Sequence, residues 1–419
     1  MEEVKQVLEG PKEVLSPKRW IAVICIALMH ASLMGALMIS GAYAEFFIGV
    51  WQVDQSLFVQ LTMIGFLTGA IFSIPMGMLA DKFGVVKILG IGMVISMVAS
   101  VARIFCTSFW PLYVACFVMG IGLAGMNANS VKFLRAWFGQ RQMATAMALY
   151  VSGAGIGVSI AMAAAANIPT PDQAYIGSAV VFAVACVIWF ALARMPKGVA
   201  VMKDEYTVAS VKTCLSNKIL LGVSLAMMLS MCASAAYAGN APIGLQAKGL
   251  DGMTAALWAS MVNICGIPSN WLAGPIADKV KRIKPVIGVM IFLGNALLLW
   301  AWIAPLGDLT LPLLVIGCVV SWGNIALIKG CVGLIPTIPP QYMGTAGGIQ
   351  TFFQNLAAFV IPSFIITPLC GGDMVMFFVM LSVSVILSGV VMMIVPELGL
   401  KGKIHQEYAA LEAKDAHEV

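Results

Sequence analysis

GMLADKFG, residues 77–84, is the stretch of this sequence that decides its fold, because it recurs as GPIADKVK at residues 274–281. Two other pairs of segments match at a similar spacing. SGAYAEFFIGV from Ser40 matches SAAYAGNAPIGL from Ser234, and MATAMALY from Met143 matches MGTAGGIQ from Met343. The offsets lie between 194 and 200 residues, a slow drift that small loop insertions produce. Three matches in register predict a chain built from two copies of one unit.

The composition places both copies in a lipid bilayer. Of the 419 residues, 61% are hydrophobic and 10% are charged, whereas soluble proteins carry about 25% charged residues. The mean hydropathy is +0.96. A helix crosses about 30 Å of hydrocarbon with about 20 apolar residues, and twelve stretches of suitable length and composition occur. They are Trp20–Ala44, Leu57–Ala80, Ile88–Cys106, Pro111–Leu134, Gln142–Ala166, Ala174–Ala193, Lys218–Asn240, Ala255–Ala277, Pro285–Ala304, Leu311–Ile335, Thr345–Pro368 and Met374–Val395. The prediction is an all-α membrane protein with twelve transmembrane helices in two pseudo-symmetric six-helix bundles.

The basic residues predict the direction in which the chain crosses. Nearly all Lys and Arg residues fall on the side of the two termini, whereas the loops of the other side contain only Lys248. Basic loops stay in the cytoplasm, so both termini are expected there, and the net charge of +5 is no argument for nucleic acid. Arg103 and Lys132, near the ends of their spans, are expected to snorkel to the interface. The charged start, MEEVKQVLEGPKEV, predicts no cleavable signal peptide.

The predicted domains follow from the spans. They are a cytoplasmic N-terminal tail (1–19), an N-terminal six-helix bundle (20–193), a cytoplasmic central loop (194–217), a C-terminal six-helix bundle (218–395) and a cytoplasmic C-terminal tail (396–419). The compact loops and the lack of a targeting segment favour a bacterial inner membrane.

The repeated loop resembles the loop motif of the major facilitator superfamily, and the resemblance covers residues 20–395. It implies a secondary transporter, in which two halves rock about a central site and expose it to one side at a time. The residues that the resemblance assigns to gating are Gly77, Asp81, Lys82 and Gly84, with Gly274, Asp278 and Lys279 in the second half. Alternatively, these charges only mark the cytoplasmic boundary. The chain departs from the family pattern at Lys281, where the motif has a glycine.

Ionisable residues inside a bilayer are functional candidates, and here the acidic ones are absent. No Asp or Glu lies in the middle of a predicted span, whereas Lys329 lies about six residues, or about 9 Å, from the end of its helix. At an offset of 200 its partner is Asn129, and Asn324 and Asn127 lie on the same two helices. A Lys ammonium facing a cavity suits a small anion; the alternative is an interfacial anchor.

Other polar groups in the spans are further candidates for substrate binding. His30 lies near the midplane and changes charge near physiological pH, which suits proton coupling; it could equally be a hydrogen-bonded core residue. The softer candidates are Tyr43, Tyr237, Tyr150, Gln350, Gln354 and Asn355, each of which could instead join two helices.

The predicted cargo is a small anion, most simply a carboxylate or an inorganic oxyanion. The segment from Asn129 to Gly157 is similar to the corresponding region of the oxalate/formate and monocarboxylate porters and of the cyanate and nitrate-type porters. A proton is the candidate coupling ion, and a monomer in the bilayer is expected. The rivals are a proton-driven exporter of neutral hydrophobic compounds and a receptor that kept the fold and lost transport.

Enzymatic, metal and nucleotide chemistry is not predicted. No nucleophile, base and acid constellation and no Walker motif is visible. The ten cysteines lie mostly within spans, without a C-x-x-C pair and with only three histidines beside them. We therefore expect neither a cofactor nor a metal.

Overall fold

The computed structural model describes residues 17–138, 140–196, 208–338, 342–399 and 402. Within these ranges the chain forms helices and no strands, because a helix satisfies its own backbone hydrogen bonds in hydrocarbon. Eleven helices are long and apolar enough to cross a membrane, and two shorter helices in line make a twelfth crossing. The predicted architecture of twelve spanning helices in two six-helix bundles is confirmed.

The spanning helices are numbered here in chain order. They are α1 (Lys18–Tyr43), α2 (Gln55–Phe83), α3 (Val85–Phe105), α4 (Phe109–Trp137), α5 (Gln140–Ala165), α6 (Pro171–Leu192), α7 (Lys218–Ala247), α8 (Gly252–Cys265 and Ile267–Val280), α9 (Lys284–Ile303), α10 (Thr310–Leu334), α11 (Thr345–Cys370) and α12 (Met374–Ile394). Several depart locally from α-helical geometry: α1 ends in a 3₁₀ turn, Ile39–Tyr43, α9 and α11 contain π-helical turns, and α10 is interrupted at Trp322.

The segment between the two halves contains a helix that was not predicted. This connecting helix, Val208–Ser216, packs against α11 and α7. Most of both predicted tails, 1–16 and 403–419, lies outside the described residues.

The side chains that begin the spanning helices account for several of the few polar loop residues. Asp54, Asp251, Asp373 and Asn217 each accept a backbone N–H from the first turn of the helix that follows. Such caps satisfy donors that the helix leaves unpaired, and a carboxylate also complements the helix dipole. Asp54 and Asp251 are repeat partners, so the duplication extends to the caps.

The two copies of the loop motif both leave their helix through a residue with positive φ, but they turn differently. Gly84, at the end of α2, has φ +97° and ψ +137°, whereas its repeat partner Lys281, at the end of α8, has φ +59° and ψ +19°. Lys281 is thus in the left-handed helical region, which favours glycine, although a lysine occupies the position.

Arg103 does not snorkel to the interface, and that expectation was wrong. Its side chain is fully buried at the end of α3. One Nη donates to the Ala36 carbonyl of α1 over 2.7 Å, the other donates to Ser100 over 3.2 Å, and the guanidinium lies 4.5 Å from the centre of the Tyr175 ring. Arg103 thus joins α3 to α1 and α6, because these partners replace the hydration that the interface would offer.

Glu397 caps α9 from the segment after α12, and its neutralisation is expected to lower stability. Its carboxylate accepts the backbone N–H groups of Ile283 and Lys284 over 2.8 and 3.1 Å. Because these are charge-assisted bonds at a helix N-terminus, Glu397→Gln is expected to lower stability by about 1–2 kcal/mol. The midpoint of thermal unfolding in detergent measures it. Glu45→Gln, at an exposed carboxylate, serves as control, and an equal loss in both variants would contradict the cap.

The two halves meet along two pairs of helices. α2 of the first half packs against α11, and α5 packs against α8. A third contact joins the end of α1 to α7. These pairs surround the space between the bundles, so side chains that face it from α1, α4, α5, α10 and α11 are the ones to consider for a central site.

Candidate functional site

The described residues join the two halves by a small number of side-chain hydrogen bonds. We call the side with the beginning of α1 and the end of α12 the terminal face, and the opposite side the distal face. The described side-chain hydrogen bonds between the halves lie at mid-depth or toward the distal face. They are Ser56 Oγ to Ser363 O (3.3 Å), Thr62 Oγ1 to Asn240 Oδ1 (3.1 Å), Ser260 Oγ to Ser159 O (2.7 Å) and Trp271 Nε1 to Ser152 Oγ (2.5 Å).

Gly41 and Gly239 form the tightest contact between the halves, near the distal end of α1. A Cβ atom built on Gly41 would lie 1.6 Å from the Gly239 carbonyl oxygen of α7. The two backbones can approach this closely only because position 41 has no side chain. By contrast, nothing lies within 4 Å of a Cβ built on Gly330, Gly333 or Gly347, in the parts of α10 and α11 nearer the terminal face. Among the described residues, the close contacts between the halves thus lie distally, whereas open space adjoins these three glycines.

Lys329 lies beside one of these glycines, Gly330, on the inner segment of α10. Its side chain is half-buried. Within the described residues, its ammonium has neither a hydrogen-bond acceptor nor a carboxylate partner. It lies close enough to His30 of α1 for its charge to act on the imidazole. The lysine and the histidine belong to different halves of the molecule.

His30 is held by α5. Its Nδ1 donates to the backbone carbonyl of Tyr150 over 3.2 Å, and its ring stacks on the Tyr150 ring with centroids 4.5 Å apart. The Tyr150 hydroxyl in turn bonds to Ser130 of α4. Since Nδ1 is used as a donor, Nε2 is the nitrogen left to accept a proton or a hydrogen bond.

The predicted polar residues of α11 lie beside this group and between the halves. Gln350 Nε2 donates to the carbonyl of Ile328, the neighbour of Lys329. Gln354 and Asn355 are buried, and the Gln354 Oε1 and both polar atoms of the Asn355 amide lack partners among the described residues. Asn355 lies against Gly69 of α2.

Four other predicted binding residues are engaged in helix packing. Tyr43 donates to the Ile168 carbonyl, Tyr237 accepts from Trp302 Nε1, Asn129 donates to the Met76 carbonyl and Asn324 donates to the Ser321 carbonyl. Asn127 is half-buried on α4. Binding by these five side chains stays a prediction, and the structure does not bring them together with Lys329 and His30.

The predicted gating residues lie at the terminal ends of α2 and α8. A Cβ built on Gly77 would lie 3.7 Å from the Cβ of Ala128 in α4. A Cβ built on Gly274 would have no atom within 4 Å. Lys82 and Lys279 are exposed. The side chains of Asp81 and Asp278 lie outside the described residues, so their pairing stays a prediction.

The residues that close the distal side were missed from the sequence. Ser152 and Ser159 are seven residues apart and therefore share a face of α5, and that spacing of hydroxyls in an apolar helix is the signal that could have found them. Gly41 lies in the first repeated segment. Small residues are frequent in spanning helices, however, so a glycine in the sequence does not by itself predict a contact between the two halves.

Among the described residues, no three His, Cys, Asp or Glu side chains are grouped closely enough to hold a metal ion.

Two bundles of membrane-spanning helices are the architecture of a membrane transporter. The chain belongs to the Major Facilitator Superfamily, whose family model matches residues 18–362. The comparison with curated proteins gives no match.

Solved structures of transporters share the fold. An inward-facing, unoccupied structure of a bacterial homolog of the human lysosomal transporter Spinster matches with a TM-score of 0.71, 14% identity, and coverage of 92% of this chain and 96% of that one. The occupied form of the same protein matches with a TM-score of 0.69 and 14% identity, over 91% of this chain and 97% of that one. A mutant of the nucleoside transporter NupG matches with a TM-score of 0.72 and 14% identity, over 90% of this chain and 99% of that one.

Proposed function

We propose that this transporter carries a small anion, a carboxylate or an inorganic oxyanion, by alternating access, with Lys329 as its counter-ion. The observation that carries the proposal is the Lys329 ammonium, which lies in the cleft without an acidic partner in the described part of the chain. A charge withdrawn from water needs an opposite charge or several hydrogen bonds. A bound anion supplies both.

The surroundings of Lys329 support an anion over a cation. None of the Asp and Glu residues of the sequence lies in the middle of a spanning helix. His30 lies within electrostatic range of the lysine, the Tyr150 ring stacks on that imidazole, and the Gln350 amide donates to the carbonyl of Ile328, the residue before Lys329. They supply neutral hydrogen-bonding groups and no negative charge, which suits a carboxylate or an oxyanion.

Transport would proceed by opening the distal contacts and closing the terminal ones. The distal bonds use hydroxyl, amide and indole groups, each worth about 0.5–1.5 kcal/mol, and can be exchanged for water. We assign the terminal gate to the repeated loops, with Gly77, Asp81, Lys82, Gly84, Gly274, Asp278 and Lys279. The basic residues support a cytoplasmic terminal face, and we propose a monomer in a bacterial inner membrane.

We further propose a proton as the coupled ion, carried by His30. The ring is fixed by Tyr150 through Nδ1, while Nε2 remains available to a proton. An anion bound at Lys329 would attract a proton to the neighbouring imidazole, because opposite charges favour the charged form of a titratable group. Binding of the anion and of the proton would then assist each other.

Replacement of His30 separates coupling from exchange. His30→Gln keeps an amide donor for the Tyr150 carbonyl but cannot titrate. Uptake driven by a pH gradient is expected to fall by about tenfold or more, corresponding to about 1.4 kcal/mol, whereas counterflow without a gradient remains. Lys87→Ala, at an exposed residue of α3 outside the site, is the control. Equal loss of both activities in His30→Gln would contradict the proton role.

The substrate class is tested by counterflow in proteoliposomes. The labelled panel is formate, oxalate, nitrate, a neutral amphiphile, a cationic dye and uridine, the last because a relative in fold is a nucleoside transporter. Exchange of one or more anions is expected. Exchange of the neutral compounds alone would overturn the anion assignment and favour an exporter of neutral solutes.

A further inference from the structure

Two neighbouring helices of the second half, α8 and α10, are interrupted at the same level, and the interruptions interlock. α8 breaks at Gly266, between Gly252–Cys265 and Ile267–Val280. α10 breaks at Trp322, between Thr310–Ser321 and Gly323–Cys331. A Cβ built on Gly266 would lie 2.2 Å from the Trp322 ring. The indole therefore occupies the place that a side chain at 266 would need.

A hydrogen bond locks the segments just below the breaks. The Gly323 N–H donates to Ser269 Oγ of α8 over 2.8 Å instead of to its own helix. A Cβ on Gly323 would lie 2.7 Å from the Ser269 carbonyl oxygen and 2.8 Å from the Ala273 Cβ. A side chain that enters the backbone ladder of another helix is an established cause of a kink. The break in α10 is thus produced by α8.

Each inner segment carries one part of the transport machinery. Gly323–Cys331 of α10 contains Lys329, and Ile267–Val280 of α8 contains the second copy of the loop motif. The two segments pack against each other along their length. The residue proposed to bind the anion and the loop proposed to gate the terminal face therefore belong to one packed unit.

We infer that Ser269 and Trp322 are positioning residues that join the inner segments of α8 and α10 into one body, so that Lys329 and the gating loop move together. The inference rests on the proposed function for the role of Lys329, but the movement itself does not depend on which solute is carried. Interlocked packing at Gly266 and the bond at Gly323 resist sliding of one segment past the other, whereas the breaks allow both to tilt against the outer segments.

Distances between spin labels test the joint movement without any substrate. Labels on non-canonical ketone residues avoid the ten native cysteines. Val280, Leu334 and Phe83 are 42%, 38% and 50% exposed and lie at the ends of α8, α10 and α2. The distances are measured in the labelled protein and in the same labelled protein carrying Gly41→Val. The valine side chain is incompatible with the contact between Gly41 and Gly239. The 280–334 distance is expected to stay within about 2 Å, the size of an ordinary helix shift. The distances from 83 to 280 and to 334 are expected to change together by more than about 5 Å, one helical turn.

Variants of Ser269, whose hydroxyl accepts the Gly323 N–H, provide the second readout. Ser269→Ala is expected to broaden the 280–334 distribution, while Ser269→Thr, which keeps a hydroxyl, restores its width. Ser388→Ala is the matched control, because it removes a buried bond of 2.7 Å to Ala226 elsewhere in the same half. A 280–334 distance that changes as much as the other two would overturn the inference, as would three unchanged distances or equal broadening in Ser388→Ala. Failure of anion exchange alone would overturn the proposed function and leave these distances as they are.

Discussion

Lys329→Ala is expected to reduce anion counterflow about 10- to 100-fold while the protein remains folded. A hydrogen bond to a charged group is worth about 1.5–3 kcal/mol, and each 1.4 kcal/mol is about tenfold in affinity. No described residue pairs with the ammonium, so its removal leaves no partner uncompensated. The expected loss is therefore one of binding and not of stability. It is measured as the concentration that gives half-maximal counterflow in proteoliposomes.

Two further variants, Lys329→Arg at the site and Lys87→Ala at the surface, complete the counterflow measurement. Lys329→Arg keeps the charge in a different shape, so it should retain part of the exchange and alter the preference between formate, oxalate and nitrate. Lys87→Ala removes an exposed charge on α3 and should leave counterflow unchanged. Normal anion exchange by Lys329→Ala would show that this lysine is an interfacial anchor, and the anion proposal would lose its main support.

Gly41→Val is expected to lower turnover at least about 100-fold, about 2.8 kcal/mol at 1.4 kcal/mol per tenfold. Overpacking commonly costs about 1–3 kcal/mol and occasionally more. Here the added carbon would lie 1.6 Å from the Gly239 carbonyl oxygen, an atom of the backbone that no rotamer change can remove. The variant should still fold, because the clash exists only when the distal sides of the two halves meet.

Accessibility of the distal face is the direct measurement for Gly41→Val. Thr62 bonds to Asn240 between the halves. In a chain whose ten native cysteines are replaced by serine or alanine, a cysteine placed at Thr62 should react faster with a membrane-impermeant maleimide from the distal side in Gly41→Val than in the parent. Gly49→Val is the control, since nothing lies within 4 Å of a Cβ at that glycine. Turnover close to the parent in Gly41→Val would mean that the distal contact is not part of the cycle.

The fold was largely predictable because lipid imposes simple rules. Long apolar stretches, the repeat and the side bearing the basic residues predicted twelve crossings in two bundles. The interruption of α8 was not predictable, since Gly266 and Pro268 within an apolar run are tolerated in spanning helices. The break at Trp322 has no local cause, because Ser269 of another helix takes the Gly323 N–H.

The candidate site was predictable residue by residue but not as a group. Lys329, His30 and Tyr150 were each recognised as polar groups within apolar helices, yet they lie on α10, α1 and α5. Packing within the first half joins His30 to Tyr150, and the association of the two halves adds Lys329. Arg103 shows the limit of counting residues from a helix end. Its distance from the interface predicted snorkelling, whereas the Ala36 carbonyl and two hydroxyls hold it inside.

The unpaired ammonium of Lys329 also determines how such a carrier would respond to the membrane voltage. With a monovalent anion bound, the site is electrically neutral, whereas the empty site carries one positive charge. One elementary charge crossing the full potential is worth about 2.3 kcal/mol per 100 mV. Without a coupled proton, the return of the empty carrier is then the voltage-sensitive step, and net uptake of the anion should pass a current. Exchange of two monovalent anions, or uptake of the anion together with one proton on His30, should pass none.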